Sequence, residues 1–141
     1  MSTTGIRSGR PSVHMIDSEA RRLEEIALGI EDRSPQVSEL LLREISRAKL
    51  YNEAKIPPDV VTMGLSVEFV DESSGAGRIV QLVYPIDADV EAGRISVLTP
   101  IGAGLIGLRE GNSILWPDRS GHERRLIILK VKQAAAQLDA G

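Results

Sequence analysis

The sequence predicts an α+β protein, with a short antiparallel helical hairpin followed by an antiparallel β-sheet domain that carries one short helix. Three observations point there. Between Asp17 and Ala48, apolar residues recur at helical spacing in two separate runs. Lys55-Ile56-Pro57-Pro58-Asp59 then interrupts the helical pattern, because adjacent prolines cannot continue a helix. From Leu65 to Lys132 the period changes to two. The order is α-α, then β-β-β-α-β-β, with helices and strands segregated rather than alternating.

Each element has its local reason. Asp17 or Ser18 is placed to cap a first helix that runs to about Leu28, with Leu23, Ile26 and Ile30 on its apolar stripe and Gly29 as its stop. Glu31, Asp32 and Arg33 make a charged loop, and Ser34-Pro35 reads as the N-cap and first position of a second helix. Val37, Leu41, Ile45 and Ala48 form the stripe of that helix. Arms of about a dozen residues reach only about 20 Å, so the hairpin is a short finger. Beyond the prolines, Leu65, Val67 and Phe69 alternate with polar residues in a first strand, and Asp71–Gly77 turns the chain. Val80, Leu82 and Tyr84 share one face of a second strand, Pro85–Gly93 is a polar loop, and Ile95 and Val97 begin a third. Pro100–Leu108 reads as a short helix, Gly111–Trp116 as a fourth strand, Asp118–Gly121 as a hairpin turn and Glu123–Lys132 as a fifth strand. The expected organisation is a flexible leader over 1–15, the hairpin over 16–55, the sheet domain over 56–132 and a frayed helical tail over 133–141.

Composition narrows the function classes. With 42% hydrophobic and 26% charged residues, the 141-residue chain has the make-up of a soluble globular domain, and no apolar run reaches membrane-span length. It has no cysteine, which excludes disulfides and thiol chemistry. The first fifteen residues lack the apolar centre of a secretion signal, so the cytoplasm is the expected location. Residues 1–55 hold 9 basic and 9 acidic side chains, and residues 56–141 hold 8 and 11, so neither part offers the cation excess that strong direct nucleic-acid binding requires. A protein partner is the expectation. So short an apolar hairpin also stands to gain from pairing with another copy of itself.

One stretch raises a sharper possibility. In Val97–Asn112, VLTPIGAGLIGLREGN, residues Gly102, Gly104 and Gly107 spell the G-x-G-x-x-G spacing of a dinucleotide clamp. That fold needs a full crossover helix, a returning parallel strand and an acidic residue about 20 positions on. Here the helix is short, and Asp118 and Glu123 sit beside a turn. The glycines are therefore expected to let a short helix pack its backbone against the sheet, and no cofactor is expected.

Three blocks carry a resemblance: PPDVVTMGLSVEFVD at Pro57–Asp71, LVYP at Leu82–Pro85, and ISVLTPIGAGLIGLREGNSILW at Ile95–Trp116. Together they resemble the Gre transcription elongation factor family, and in particular its short-fingered regulator-of-nucleoside-diphosphate-kinase (Rnk) branch. The resemblance covers residues 57–132 in several ordered blocks, and the hairpin matches in kind and length. It implies an FKBP-like C-terminal domain behind an N-terminal coiled coil. It also implies a partner, RNA polymerase, gripped at the rim of its secondary channel in competition with other channel-binding factors and without transcript cleavage. The turn after the third strand, Leu98-Thr99-Pro100 with Ile101 beside it, would contribute to the grip. At Leu98 this chain departs from the acidic residue that Gre factors can carry.

Candidate site residues follow. Thr99, Pro100 and Ile101 are expected near the polymerase, with Arg109 and Arg124, and with Arg94 and Arg125, bracketing one edge of the sheet. In a Gre-type cleavage factor, the acids at the fingertip would hold a metal ion for the polymerase, and Glu31 and Asp32 occupy that loop here. The simpler reading of Glu31 and Asp32 is a solvated turn. An FKBP-like fold also raises peptide binding or prolyl isomerisation, which needs an aromatic-lined pocket. Only Phe69, Tyr84 and Trp116 lie in the sheet domain, at positions better suited to packing. His14 and His122 are separated and lack cysteine partners, so no metal site is expected.

Overall fold

The computed structural model describes residues 11–117 and 122–133, with no side-chain description for Trp116, Pro117 and Gln133. The first part of the expected leader, the Asp118–Gly121 turn and the tail beyond Gln133 lie outside the described residues. Within them, strand β1 (Val13–Ile16) leads into helix α1 (Asp17–Gly29), helix α2 (Pro35–Ser46) and strand β2 (Ala48–Tyr51). Strands β3 (Leu65–Asp71), β4 (Gly77–Val83) and β5 (Arg94–Ser96) follow, then helix α3 (Pro100–Leu105), and finally β6 (Ser113–Pro117) and β7 (Glu123–Gln133). The protein is thus a mixed helix-and-sheet structure.

The helices pack against each other for reasons visible in their faces. On α1 the buried residues are Ala20, Leu23 and Ala27, so the seam lies one position to the side of the expected stripe through Ile26. The small alanines bring α2 close enough for the Ser38 hydroxyl to donate to the Ala27 carbonyl at 2.8 Å. On α2 the buried residues are Ser38, Leu41 and Glu44, flanked by half-buried Val37 and Ile45. Ser38 tolerates burial because of its bond to Ala27, and Glu44 because Arg47 Nε reaches its carboxylate at 2.9 Å. Neither helix uses the side-chain cap expected for it: Ile16 and Ser34 stand at the N-cap positions without a side-chain bond, although Pro35 does open α2.

Two expectations are corrected at the edges of this pair. Residues 13–16, placed in the leader, form β1, and Ala48, placed on the second helix, begins β2; the two strands pair in parallel from Val13 with Ala48 to Ile16 with Tyr51. Val13, Met15 and Ile16 are buried, which accounts for the ordering of β1. The far side of β1 is fixed by His14 N–H donating to the Gly107 carbonyl at 2.9 Å.

The larger sheet has the order β5-β4-β3-β7-β6. Its β4–β3, β3–β7 and β7–β6 pairings are antiparallel, as alternation predicts, but β4 and β5 run parallel. That departure comes from the Pro85–Gly93 connection, which carries the chain back only as far as Gln81 of β4 through two 3₁₀ turns, Pro85–Asp87 and Val90–Ala92, before β5 begins. Inward-facing Val67, Phe69, Val80, Leu82, Leu126, Ile128 and Val131 form one core with Leu23 and Leu41 of the helical pair and with Leu105 of α3.

Glu19 is one polar tie between α1 and the strand domain: its carboxylate accepts from Met63 N–H at 3.3 Å. Burial pushes its pKa above the usual 4.5, with the Met63 bond opposing and the Glu53 charge assisting that rise. A raised folded-state pKa means that this group's stabilisation is complete below the unfolded pKa and is lost as pH climbs through the folded value. Glu19→Gln keeps an acceptor for Met63 and removes the titration. Melting temperatures followed against pH should show the variant gaining on the wild type as pH rises above the ordinary glutamate range. Parallel curves would refute it.

Candidate functional site

The expected contact turn is a tightly wired structure at the start of α3. Thr99 is the N-cap: its hydroxyl accepts from Gly102 N–H at 3.1 Å and donates to the Ser96 carbonyl at 2.7 Å. Ser96 Oγ in turn accepts from Leu98 N–H at 2.9 Å. With its hydroxyl engaged twice inside the protein, Thr99 sets the shape of the turn. Pro100 is exposed at the first helical position, while Leu98 and Ile101 are half-buried against the core. Pro100 is therefore the residue of the three that this turn presents to solvent.

Gly102 and Gly107 explain how so short a helix is seated. A Cβ on Gly102 would meet the Ser96 carbonyl oxygen, and would lie 3.0 Å from Thr99 Oγ1 and from Val97 Cα. Gly107 has φ +86°, and a Cβ there would run into the Val13 side chain and lie 3.1 Å from the His14 carbonyl oxygen. One glycine admits the backbone leaving β5, the other admits β1. The strand after α3 pairs antiparallel with β7 rather than returning beside β5. The fingerprint spacing therefore belongs to close packing of backbone, in agreement with the sequence reading.

The arginines do not gather on one edge. Arg94 lies on β5, the opposite side of the sheet from Arg124 and Arg125 on β7, because β5 and β6 are the two edge strands. Each is tied to a carboxylate: Arg94 to Asp89 at 3.6 Å, Arg109 to Asp59 at 2.9 Å, Arg124 to Asp71 at 2.9 Å and Arg125 to Glu72 at 3.0 Å. Arg109 and Arg124 keep 41% and 39% of their side chains exposed, so they remain reachable while paired. The Asp71 carboxyl is held below its ordinary pKa first by the Ser73 hydroxyl, with Arg124 adding to the effect. These pairings span 50 and 53 residues, a separation that sequence spacing gives no means of reading.

Glu31 and Asp32 are exposed in the turn joining α1 to α2. Beside them is an open groove lined by Glu31, Pro35, Ser38, Glu39, Leu42 and Arg43. Among the described residues, no three acids and histidines converge as a metal cage would require. His14 Nδ1 instead lies 2.9 Å from the Tyr51 hydroxyl, and burial, with Arg109 and Lys49 nearby, lowers its pKa. Phe69 is buried in the core, and Tyr84 is half-buried under the Arg22 guanidinium, 4.7 Å from the ring centroid. Neither aromatic lines the groove.

Comparison with known proteins bears on this arrangement. The family model described as "Transcription elongation factor, GreA/GreB, C-term" matches residues 56–133. The chain is 32% identical over 123 residues to "Regulator of nucleoside diphosphate kinase" from Escherichia coli (strain K12), covering 87% of this chain and 90% of that protein. It is 44% identical over 69 residues to "Transcription elongation factor GreA" of Rhodospirillum rubrum, covering 49% of this chain and 44% of that one. The solved structure "Prokaryotic transcription elongation factor GreA/GreB from Nitrosomonas europaea" superposes with a TM-score of 0.69 at 35% identity, covering 86% of this chain and 98% of that one.

Proposed function

Because the chain belongs to the GreA/GreB transcription elongation factor family, we propose that it is a transcription regulator that binds RNA polymerase at the rim of the secondary channel. It competes there with other channel-binding factors and does not itself stimulate transcript cleavage. Residues 56–132 act as the FKBP-like docking domain, with Thr99, Pro100, Ile101, Arg109 and Arg124 at the contact. The hairpin of residues 16–55 obstructs the channel mouth. Such a partner places the protein in the cytoplasm. The relatives, named as a regulator and as elongation factors, support this assignment over an enzyme.

The observation that carries the reading is the length of the finger. Helices of 13 and 12 residues extend about 20 Å at ~1.5 Å per residue. Glu31 and Asp32 at its tip are short of the reach that delivering a metal ion deep into a channel demands. The seat of the docking turn also suits a rigid grip: a capped, glycine-seated helix start presents Pro100 with little entropy left to lose on binding.

The test is a pull-down of core RNA polymerase by the full chain, followed by competition with a Gre factor. Binding and mutual displacement are expected, with no cleavage of a backtracked transcript. Absence of binding sinks the proposal, and cleavage that disappears in Glu31→Ala/Asp32→Ala restores the elongation-factor alternative. Pro100→Glu is the informative docking variant, since an acid is welcome in the first turn of a helix and folding is spared. Its affinity for the polymerase should fall at least about tenfold.

A further inference from the structure

The two most exposed large apolar side chains among the described residues are Ile86, 90% exposed, and Val90, 79% exposed. Both stand on the loop between β4 and β5, one in each of its 3₁₀ turns. The loop is held at every step. Asp87 N–H donates to the Tyr84 carbonyl at 2.9 Å, and Asp89 and Arg94 exchange backbone hydrogen bonds at 2.8 and 2.9 Å. The Arg94 guanidinium reaches the Asp87 carbonyl at 3.0 Å and the Asp89 carboxylate at 3.6 Å. Gly93 closes the second turn at φ +80°. Nothing in that framework requires Ile86 or Val90 to be apolar, since their side chains contribute almost no burial to the fold. An apolar pair on a preformed loop matches the anatomy of a contact centre, and the exposed carboxylates of Asp87 and Glu91 match its polar rim.

The charge around the pair selects the chemistry of what covers it. Arg94 at the start of β5 is paired with Asp89 and the Asp87 carbonyl, and the carboxylates of Asp87, Asp89 and Glu91 outnumber it, so the net charge beside Ile86 and Val90 is negative. The complement is a protein surface with an apolar hollow and lysine or arginine at its margin. Position adds a second argument. β5 is an edge strand of the sheet, the loop lies along its outer side with Asp89 bridged to Arg94, and β5 then runs into the Ser96–Pro100 turn. Three residues of strand span about 10 Å, so the loop and the turn share one edge of the sheet, within reach of a single partner surface. A second copy of this chain fits less well, because a loop-to-loop contact would set the Asp87 and Glu91 carboxylates of one copy against those of the other.

We propose that the Pro85–Gly93 loop is a second anchor for RNA polymerase, in which Ile86 and Val90 enter a basic-rimmed apolar hollow on the polymerase. The inference rests on the polymerase-binding reading and adds to it a surface that the Thr99–Ile101 turn does not include. The test measures the affinity of the full chain for immobilised core polymerase as wild type, as Ile86→Ser/Val90→Ser and as Asp87→Asn/Glu91→Gln. The serine variant should keep the wild-type melting temperature and lose at least about tenfold in affinity. The amide variant should bind more weakly at low salt and converge on wild type at high salt. Wild-type binding with an unchanged dissociation constant in the serine variant overturns this inference and leaves the channel-rim reading standing. Failure of the wild type to bind overturns both. Self-association of the free chain that the serine variant abolishes also overturns it, by making a second copy the occupant.

Discussion

Gly102→Ala is expected to destabilise the protein by about 3 kcal/mol, at the upper end of what one added methyl costs in a packed site. The new Cβ meets the Ser96 carbonyl oxygen and sits against Thr99 Oγ1 and Val97 Cα. Two of the three obstacles are main chain, so no rotamer change relieves them. Relief comes only by lifting α3 away from the end of β5, which breaks the Thr99 cap and displaces Ala103 and Leu105 from the core. Gly29→Ala is the control, because a Cβ there meets nothing within 4 Å. It should be neutral or stabilising by up to about 1 kcal/mol, as alanine is the better helix former. Thermal unfolding read by circular dichroism separates the two. A melting temperature for Gly102→Ala within a degree of wild type would mean that α3 has slack the geometry denies. Since α3 begins at the turn proposed for docking, the same substitution should weaken polymerase binding even under conditions where the variant stays folded.

The contrast between those glycines marks where sequence reading succeeds. Gly102 was legible because the helix after a short strand left no room for a crossover, so its glycines had to serve close packing. Strands β3 and β4 were legible from alternation, as at Leu65, Val67 and Phe69, and β6 and β7 as apolar runs, ILW and LIILKV, beside a turn-forming sequence. The four-residue strands were not. VHMI and AKLY are too short to display a period, and Ala48 continues the helical stripe of Leu41 and Ile45 by accident of spacing. What separates Ala48 from the helix is tertiary: Val13, Met15 and Ile16 need cover, and β2 supplies a pairing edge for them. The parallel β4–β5 pair was hidden for a different reason. Its connection is a knot of 3₁₀ turns instead of a helix, and that geometry has no periodic signature.

The candidate site divides along the same line. The turn proposed for docking was legible as a turn from its sequence, but the division of labour within it was not. Thr99 works inward and Pro100 outward, and only the hydrogen bonds of the Thr99 hydroxyl reveal it. The arginines taken for a rim were legible as exposed charge, yet the carboxylate partners of Arg109 and Arg124 lie far away in the chain. Ile86 and Val90 were passed over because their segment is rich in acids and reads as an ordinary polar loop. The missing signal was that a loop with no core to join still carries two large apolar residues.

Leu41→Ala provides the second large effect, and it decides whether finger and sheet behave as one body. Leu41 is wholly buried on α2, which contacts both α1 and α3, and it shares a core with Leu23, Leu105 and Val67. Truncation removes three carbons from a site bounded by elements that cannot all collapse inward, so about 2–5 kcal/mol should be lost. For a chain of this size that corresponds to a fall of roughly 10 °C in melting temperature. The place where the loss registers carries the structural argument. The lone tryptophan, Trp116, stands on β6 at the edge of the sheet, so its fluorescence reports strand order, while far-UV dichroism at 222 nm is weighted toward the helices. With a continuous core, both probes should move down together in a single transition. A dichroism loss that precedes an unshifted tryptophan transition would mean that α1 and α2 melt by themselves. A finger that melts alone could not hold a defined pose at a channel mouth, so coincident transitions are also what the proposed obstruction of that channel requires.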